Sequence, residues 1–157
     1  MADARQGGCR CGKVRFEASG EPLLTMACHC TGCQRMTGSA FSLSEGYPAD
    51  AFRLTAGETV PGGMHGPSRQ HHCDHCKSWV YTEPDGVEGY VNVRSTLFDE
   101  PGREAPYVEL FRSEALPWAR TGAANSFEKF PAADQWPDLI KQFAGRRTAW
   151  AKEEFNP

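Results

Sequence analysis

The sequence has no apolar stretch near the roughly 20 residues needed to span a bilayer. Its start, Met1-Ala2-Asp3-Ala4-Arg5-Gln6, lacks the apolar centre of a secretory leader. There is no excess of positive charge either. Seventeen Lys and Arg stand against twenty Asp and Glu, a formal net charge of −3, which removes the electrostatic case for nucleic acid or an anionic membrane. The basic pair Arg146-Arg147 is too short to change that balance. No serine lies in a G-x-S-x-G element, so a hydrolase nucleophile of that kind is not supported. Together these absences predict a cytoplasmic protein that works on small molecules, with no nucleic acid and no membrane as partner.

What remains is the composition of a folded domain: 39% hydrophobic and 24% charged residues in a chain of 157, long enough for one core and short for two. Residues 1–157 are therefore read as a single domain. Sixteen glycines and eleven prolines punctuate short β-like runs at Val14–Ala18, Thr25–Cys28, Ser39–Leu43, Ala51–Thr55, Trp79–Thr82, Tyr90–Val93 and Tyr107–Phe111. Val14 and Phe16 alternate with Arg15 and Glu17, as do Phe52 and Leu54 with Arg53 and Thr55, which is the period of half-buried strands. The fold class is mainly β. One helical extension is expected over about 134–155, where Trp136, Leu139, Ile140 and Phe143 share a face, Pro137 suits the first turn, Gly145 can end the helix and Trp150 can continue the stripe.

The chemistry lies in the cysteines. Seven is an odd number for a disulfide framework, and they are clustered: Cys9-Arg10-Cys11, Cys28-His29-Cys30-Thr31-Gly32-Cys33 and Cys73-Asp74-His75-Cys76. In a reducing compartment such clusters are metal ligands or redox centres more often than staples. A chelating C-x-C needs a bent loop, and Gly7, Gly8 and Gly12 are expected to give the first one its freedom. Zinc takes four ligands in structural sites and three plus an exchangeable one in catalytic sites. Pairing Cys9 and Cys11 with Cys73 and Cys76 gives a closed site and leaves Cys28, Cys30 and Cys33 with a free vertex. Two other readings stay open: a histidine (His29, His65, His71, His72 or His75) could close the second site, or Cys30 and Cys33 could form a redox dithiol.

The three clusters with their surroundings, Gly8-Cys9-Arg10-Cys11-Gly12-Lys13-Val14-Arg15-Phe16, Cys28 through Phe41, and Cys73-Asp74-His75-Cys76, resemble the glutathione-dependent formaldehyde-activating enzyme family, which also includes the centromere protein V type. Thr96-Leu97-Phe98-Asp99-Glu100-Pro101 and Pro117-Trp118 fit it more loosely, so the likeness covers about the first 120 residues. The resemblance implies an Mss4-like fold of packed β-sheets, a structural zinc on Cys9, Cys11, Cys73 and Cys76, and a catalytic zinc on Cys28, Cys30 and Cys33. Two positions depart from the family pattern: His72 replaces an aromatic residue before the third cluster, and Lys77-Ser78 replaces Gly-Ser after it.

The implied activity is that of a carbon-sulfur lyase, condensing formaldehyde, or a related small aldehyde, with glutathione. A zinc-bound thiol loses its proton near neutral pH, and the thiolate is the nucleophile that adds to an aldehyde carbon. Gln34 and Arg35, just past the second cluster, are candidates to grip a glutathione carboxylate. The alternative is a non-catalytic zinc-stapled module that carries thiols or binds a protein. Methionine sulfoxide reduction is set aside, because it needs a cysteine apart from the zinc ligands and none follows Cys76.

Overall fold

The computed structural model describes residues 4–63, 66–101 and 105–153, with side chains described as far as Arg146. The strands are β1 (Ala4–Gly8), β2 (Arg15–Ser19), β3 (Leu24–Cys28), β4 (Ser42–Pro48), β5 (Phe52–Ala56), β6 (Thr59–Gly62), β7 (Arg69–Cys73), β8 (Trp79–Glu83), β9 (Tyr90–Arg94), β10 (Val108–Leu110) and β11 (Asn125–Ser126). Two α-helices, α1 (Thr31–Thr37) and α2 (Trp136–Glu153), complete the elements that matter here. A small sheet in the order β1-β2-β5 lies with a large one in the order β11-β10-β3-β4-β9-β8-β7-β6. The fold is mainly β with a C-terminal helix, as expected. No helix among the described residues is long and apolar enough to cross a membrane.

Alternation along the strands assigns residues to two cores. Val91 and Val93 join Val14, Phe16, Ala18, Tyr47, Val80 and Phe98 in one cluster. Tyr90, one residue out of phase, packs instead against Leu24, Met26, Val108, Leu110, Leu139 and Phe143. Residues of opposite parity on a strand face opposite sides of the sheet, so the small sheet covers one face and α2 covers part of the other. The hairpin of β1 and β2 is tied down by the Thr96–Pro101 segment. Phe98 is buried, the Arg15 guanidinium grips Asp99 through both nitrogens, and the Arg5 guanidinium lies 4.0 Å over the Phe98 ring while pairing with buried Glu45.

Several expectations need correction. Strand β4 begins at Ser42 and not at Ser39, because α1 occupies Thr31–Thr37 and ends on Gly38 at φ 61°, the left-handed conformation that favours glycine at a helix C-terminus. Gly145 does not terminate α2, which runs through it to Glu153; a helical glycine costs only about 1 kcal/mol relative to alanine. Leu139 and Phe143 are buried and Trp136 packs beside them as the periodicity predicts, while the Trp150 side chain and residues 154–155 lie outside the described residues. Strands β1, β6, β7 and β11 have no apolar alternation to announce them. Of the glycines expected to loosen the first C-x-C, only Gly12 has positive φ, 77°. Gly7 and Gly8 lie in strand β1, where a Cβ on Gly7 would sit 2.3 Å from the Phe16 ring and one on Gly8 2.7 Å from the Val14 carbonyl oxygen. Their role is close approach.

Candidate metal centres and the adjoining cavity

The first cluster forms where two tight turns meet. After β1 the Gly12 N–H donates to the Cys9 carbonyl, and the Val14 N–H donates to Cys9 Sγ at 3.3 Å. After β7 the Lys77 N–H donates to the Cys73 carbonyl, with Lys77 itself at φ 58°. Ser78 bridges the two turns: its hydroxyl accepts from the Arg10 N–H at 3.2 Å and lies 3.2 Å from Cys76 Sγ. Sγ of Cys11 lies 3.5 Å from that of Cys9 and 3.8 Å from that of Cys73. Zn–S bonds of about 2.3 Å at tetrahedral angles require sulfurs about 3.8 Å apart, so this donor set fits zinc. Burial opposes ionisation of Cys76, but hydrogen bonds from Ser78 bring its pKa down to about 5.

The second cluster is made by the end of β3 and the start of α1. Cys28 closes the strand, Cys30 is the helix N-cap, and Cys33 lies in the first turn with its N–H donating to Cys30 Sγ at 3.3 Å. The three sulfurs lie within 4.8 Å of one another. Contacts from Cys28 and Cys33 hold the Cys30 thiol far below the ordinary thiol range, while Cys30 and Cys33 push Cys28 far above it. Three thiols this close cannot all ionise unaided, and a divalent cation is what lets them do so. Both clusters could thus hold a metal ion, and both all-thiol sets are compatible with zinc. All seven cysteines are free thiols, with no disulfide between Cys30 and Cys33.

Among the described residues no histidine nitrogen or carboxylate oxygen joins either cluster. His29 is fully buried and turned to Glu109, with Nε2 3.4 Å from Oε1. His71 stacks on Tyr81 and bonds to Glu83 at 2.8 Å. His72 stacks against Trp79, so it fills the place of the family's aromatic residue as a flat ring. His75 is exposed, and His65 lies outside the described residues. The Gln34 amide N–H₂ donates to the His29 carbonyl at 2.6 Å and to the Glu114 carbonyl at 2.9 Å, so it fixes the cluster's own loop. Arg35 is exposed in the last turn of α1.

Sequence reasoning missed the groups that surround the trio. Cys28 faces Ser42 across β3 and β4, and Ser44 faces Arg94 across β4 and β9. Ser42 and Ser44 share a face, so the two pairs put Arg94 on the side of the sheet that carries Cys28. A cavity of about 420 Å³ opens there, with Arg94, Trp79, Ser42, Phe41, Lys77 and Thr96 among its walls. Glu109, deep in the apolar run Tyr107–Phe111, accepts from the Thr121 N–H and from the hydroxyls of Thr121 and Ser126. Burial works against its charge, yet these donors hold its carboxyl down at about 2. The signal available in the sequence was a charged residue inside an apolar run at Glu109 and one directly after such a run at Arg94.

The chain matches the family model described as glutathione-dependent formaldehyde-activating enzyme over residues 4–114. No curated protein is similar enough to count as a match. Among solved structures, the crystal structure of a Rhodobacter sphaeroides protein, a structural-genomics target, is similar with a TM-score of 0.53 and 17% identity, covering 62% of this chain and 91% of that one. At that identity the likeness concerns the fold alone. The family match spans all three cysteine clusters, and on that ground the chain belongs to the glutathione-dependent formaldehyde-activating enzyme family.

Proposed function

We infer that the protein is a zinc-dependent carbon-sulfur lyase of the S-(hydroxymethyl)glutathione synthase type, joining a thiol such as glutathione to formaldehyde or a related small aldehyde. The observation that carries this reading is the unequal donor count, four sulfurs in one cluster and three in the other, with no further side-chain ligand beside them among the described residues. A closed four-thiolate site serves structure, whereas a three-ligand site keeps a position for an exchangeable ligand. Cys9, Cys11, Cys73 and Cys76 accordingly hold the structural zinc, and Cys28, Cys30 and Cys33 the catalytic one.

When bound at the trio, zinc supplies the Lewis acidity that keeps an incoming thiol ionised near neutral pH. The chain's own residues set the geometry. Cys30 caps α1, Gln34 pins the loop through the carbonyls of His29 and Glu114, and Glu114 accepts from the Thr31 N–H and hydroxyl at the helix start. Overall the thiol sulfur bonds to the aldehyde carbon, the carbonyl π pair moves to oxygen, and the thiol proton ends there as the new hydroxyl. No oxidant or reductant is consumed. Arg35, exposed at the far end of α1, is available to a glutathione carboxylate.

The test is exchange NMR of ¹³C-formaldehyde with glutathione. Zinc-loaded protein should accelerate formation and breakdown of the S-hydroxymethyl adduct, and Cys30→Ser should abolish the acceleration. A zinc-loaded protein that leaves the exchange rate at its protein-free value, or a Cys30→Ser variant as fast as the parent, refutes the reading.

A further inference from the structure

Arg94 lies on the side of the sheet that carries the trio, and the ligand count does not use it. It is 7% exposed, its Nε has no hydrogen-bond partner, and among the described residues no carboxylate pairs with it. Its guanidinium lies 4.0 Å over the Trp79 ring, which holds it in place without using its N–H donors. The Cys33 and Cys28 sulfurs face its charge from the trio, but the buried Nε donor stays idle, which is costly unless something meets it. The cavity it lines also presents Lys77 and the hydroxyl residues Thr37, Ser39, Ser42 and Thr96, and no acidic residue. Lys77 is already paired with Asp74, so the Arg94 guanidinium and several hydroxyls, with no carboxylate in the lining, make a wall suited to an anion, and Ser42 lies directly across the sheet from Cys28.

We propose that this cavity is an anion subsite in which Arg94 grips a carboxylate of the small molecule that reacts at Cys28, Cys30 and Cys33. The proposal rests on the reading of the trio as the reactive site. The planar fork of arginine matches a carboxylate, so the subsite discriminates by charge and shape. The carboxylate belongs either to the thiol, as in glutathione, or to the aldehyde, as in glyoxylate. Neutral formaldehyde makes no use of it.

The experiment compares zinc-loaded parent, Arg94→Met and Arg94→Lys by calorimetric titration with glutathione, with cysteamine, a thiol without a carboxylate, and with glyoxylate. Arg94→Met should weaken a carboxylate ligand about 10- to 100-fold while leaving cysteamine within about twofold. A loss confined to glutathione assigns the subsite to the thiol, and one confined to glyoxylate assigns it to the aldehyde. Arg94→Lys keeps the charge without the fork, so it should recover only part of the loss; if Arg94→Met does not fold, the ratio of carboxylate-ligand to cysteamine affinity in Arg94→Lys decides. Equal affinity for both carboxylates in parent and variants, a parallel loss for cysteamine, or no binding of either carboxylate by the parent overturns the subsite. Zinc X-ray absorption that is unchanged by cysteamine in the parent would instead refute the thiol reading of the trio, and the glyoxylate titration would still judge Arg94.

Discussion

Replacing Cys73 by serine should cost the fold far more than replacing Cys30. Cys73 is 1% exposed and joins the turn after β7 to the hairpin turn after β1, with 62 residues separating it from Cys11. The trio closes a loop of only five residues, from Cys28 to Cys33. Closure entropy grows as (3/2)RT ln n, so the longer link constrains the unfolded chain by about 2 kcal/mol more than the shorter one. For a chain of this size that difference is roughly 4–8 °C in Tm. Serine at position 30 has a further advantage: the residue is the N-cap of α1, its side chain accepts from the Cys33 N–H, and serine is a preferred N-cap. The assay is thermal unfolding of both variants in parallel with zinc content. Cys73→Ser should melt well below Cys30→Ser, and Cys30→Ser should keep near-parental secondary structure and one zinc ion. If Cys30→Ser melts as low as Cys73→Ser, or lower, the division into a structural and a reactive site is wrong.

Zinc should leave in two steps under a chelator, the first ion from Cys28, Cys30 and Cys33, because a site with one thiolate fewer holds metal less tightly; simultaneous release, followed with a metal-sensitive dye, would contradict this. Lys77→Gly should raise stability by about 1 kcal/mol in urea denaturation, since Lys77 has φ 58°, where glycine carries no Cβ penalty, and its exposed pair with Asp74 contributes little; a lowered midpoint would count against the strain. Glu109 has a depressed folded pKa of about 2, so its contribution is present above the unfolded carboxylate value and is lost as pH falls through about 4 to 2. Glu109→Gln should therefore lie on the order of 3 kcal/mol below the parent at pH 6, with the gap closing at low pH, and a gap that does not change with pH would refute the ionised assignment.

The cysteine spacing made much of the site legible because metal chelation by neighbouring residues is a local property. Cys28, Cys30 and Cys33 need only one strand end and one helical turn to converge, and the structure brings them together there. The meeting of Cys9 and Cys11 with Cys73 and Cys76 is not local, and the sequence offered it only through ligand arithmetic and family likeness. The apolar alternation announced β2 and β5, and short β-like runs marked β8 and β9. It was silent on β6 and β7, whose run of Thr59–Gly62 and Arg69–Cys73 is held by backbone pairing and stacked rings and lacks an apolar face.

The sequence by itself determined that the chain is a mainly β, cysteine-clustered protein with an amphipathic C-terminal helix, because periodicity and short-range ligand spacing are written in neighbouring residues. Only the tertiary structure decided that His29 turns away from the trio toward Glu109, that Gln34 is spent on backbone carbonyls, and that Arg94 lines a cavity on the side of Cys28 with its Nε donor idle. The first two depend on β10 pairing in parallel with β3, and the third on the register of β4 against β3 and β9; a strand's register is set by which partner it meets across the sheet.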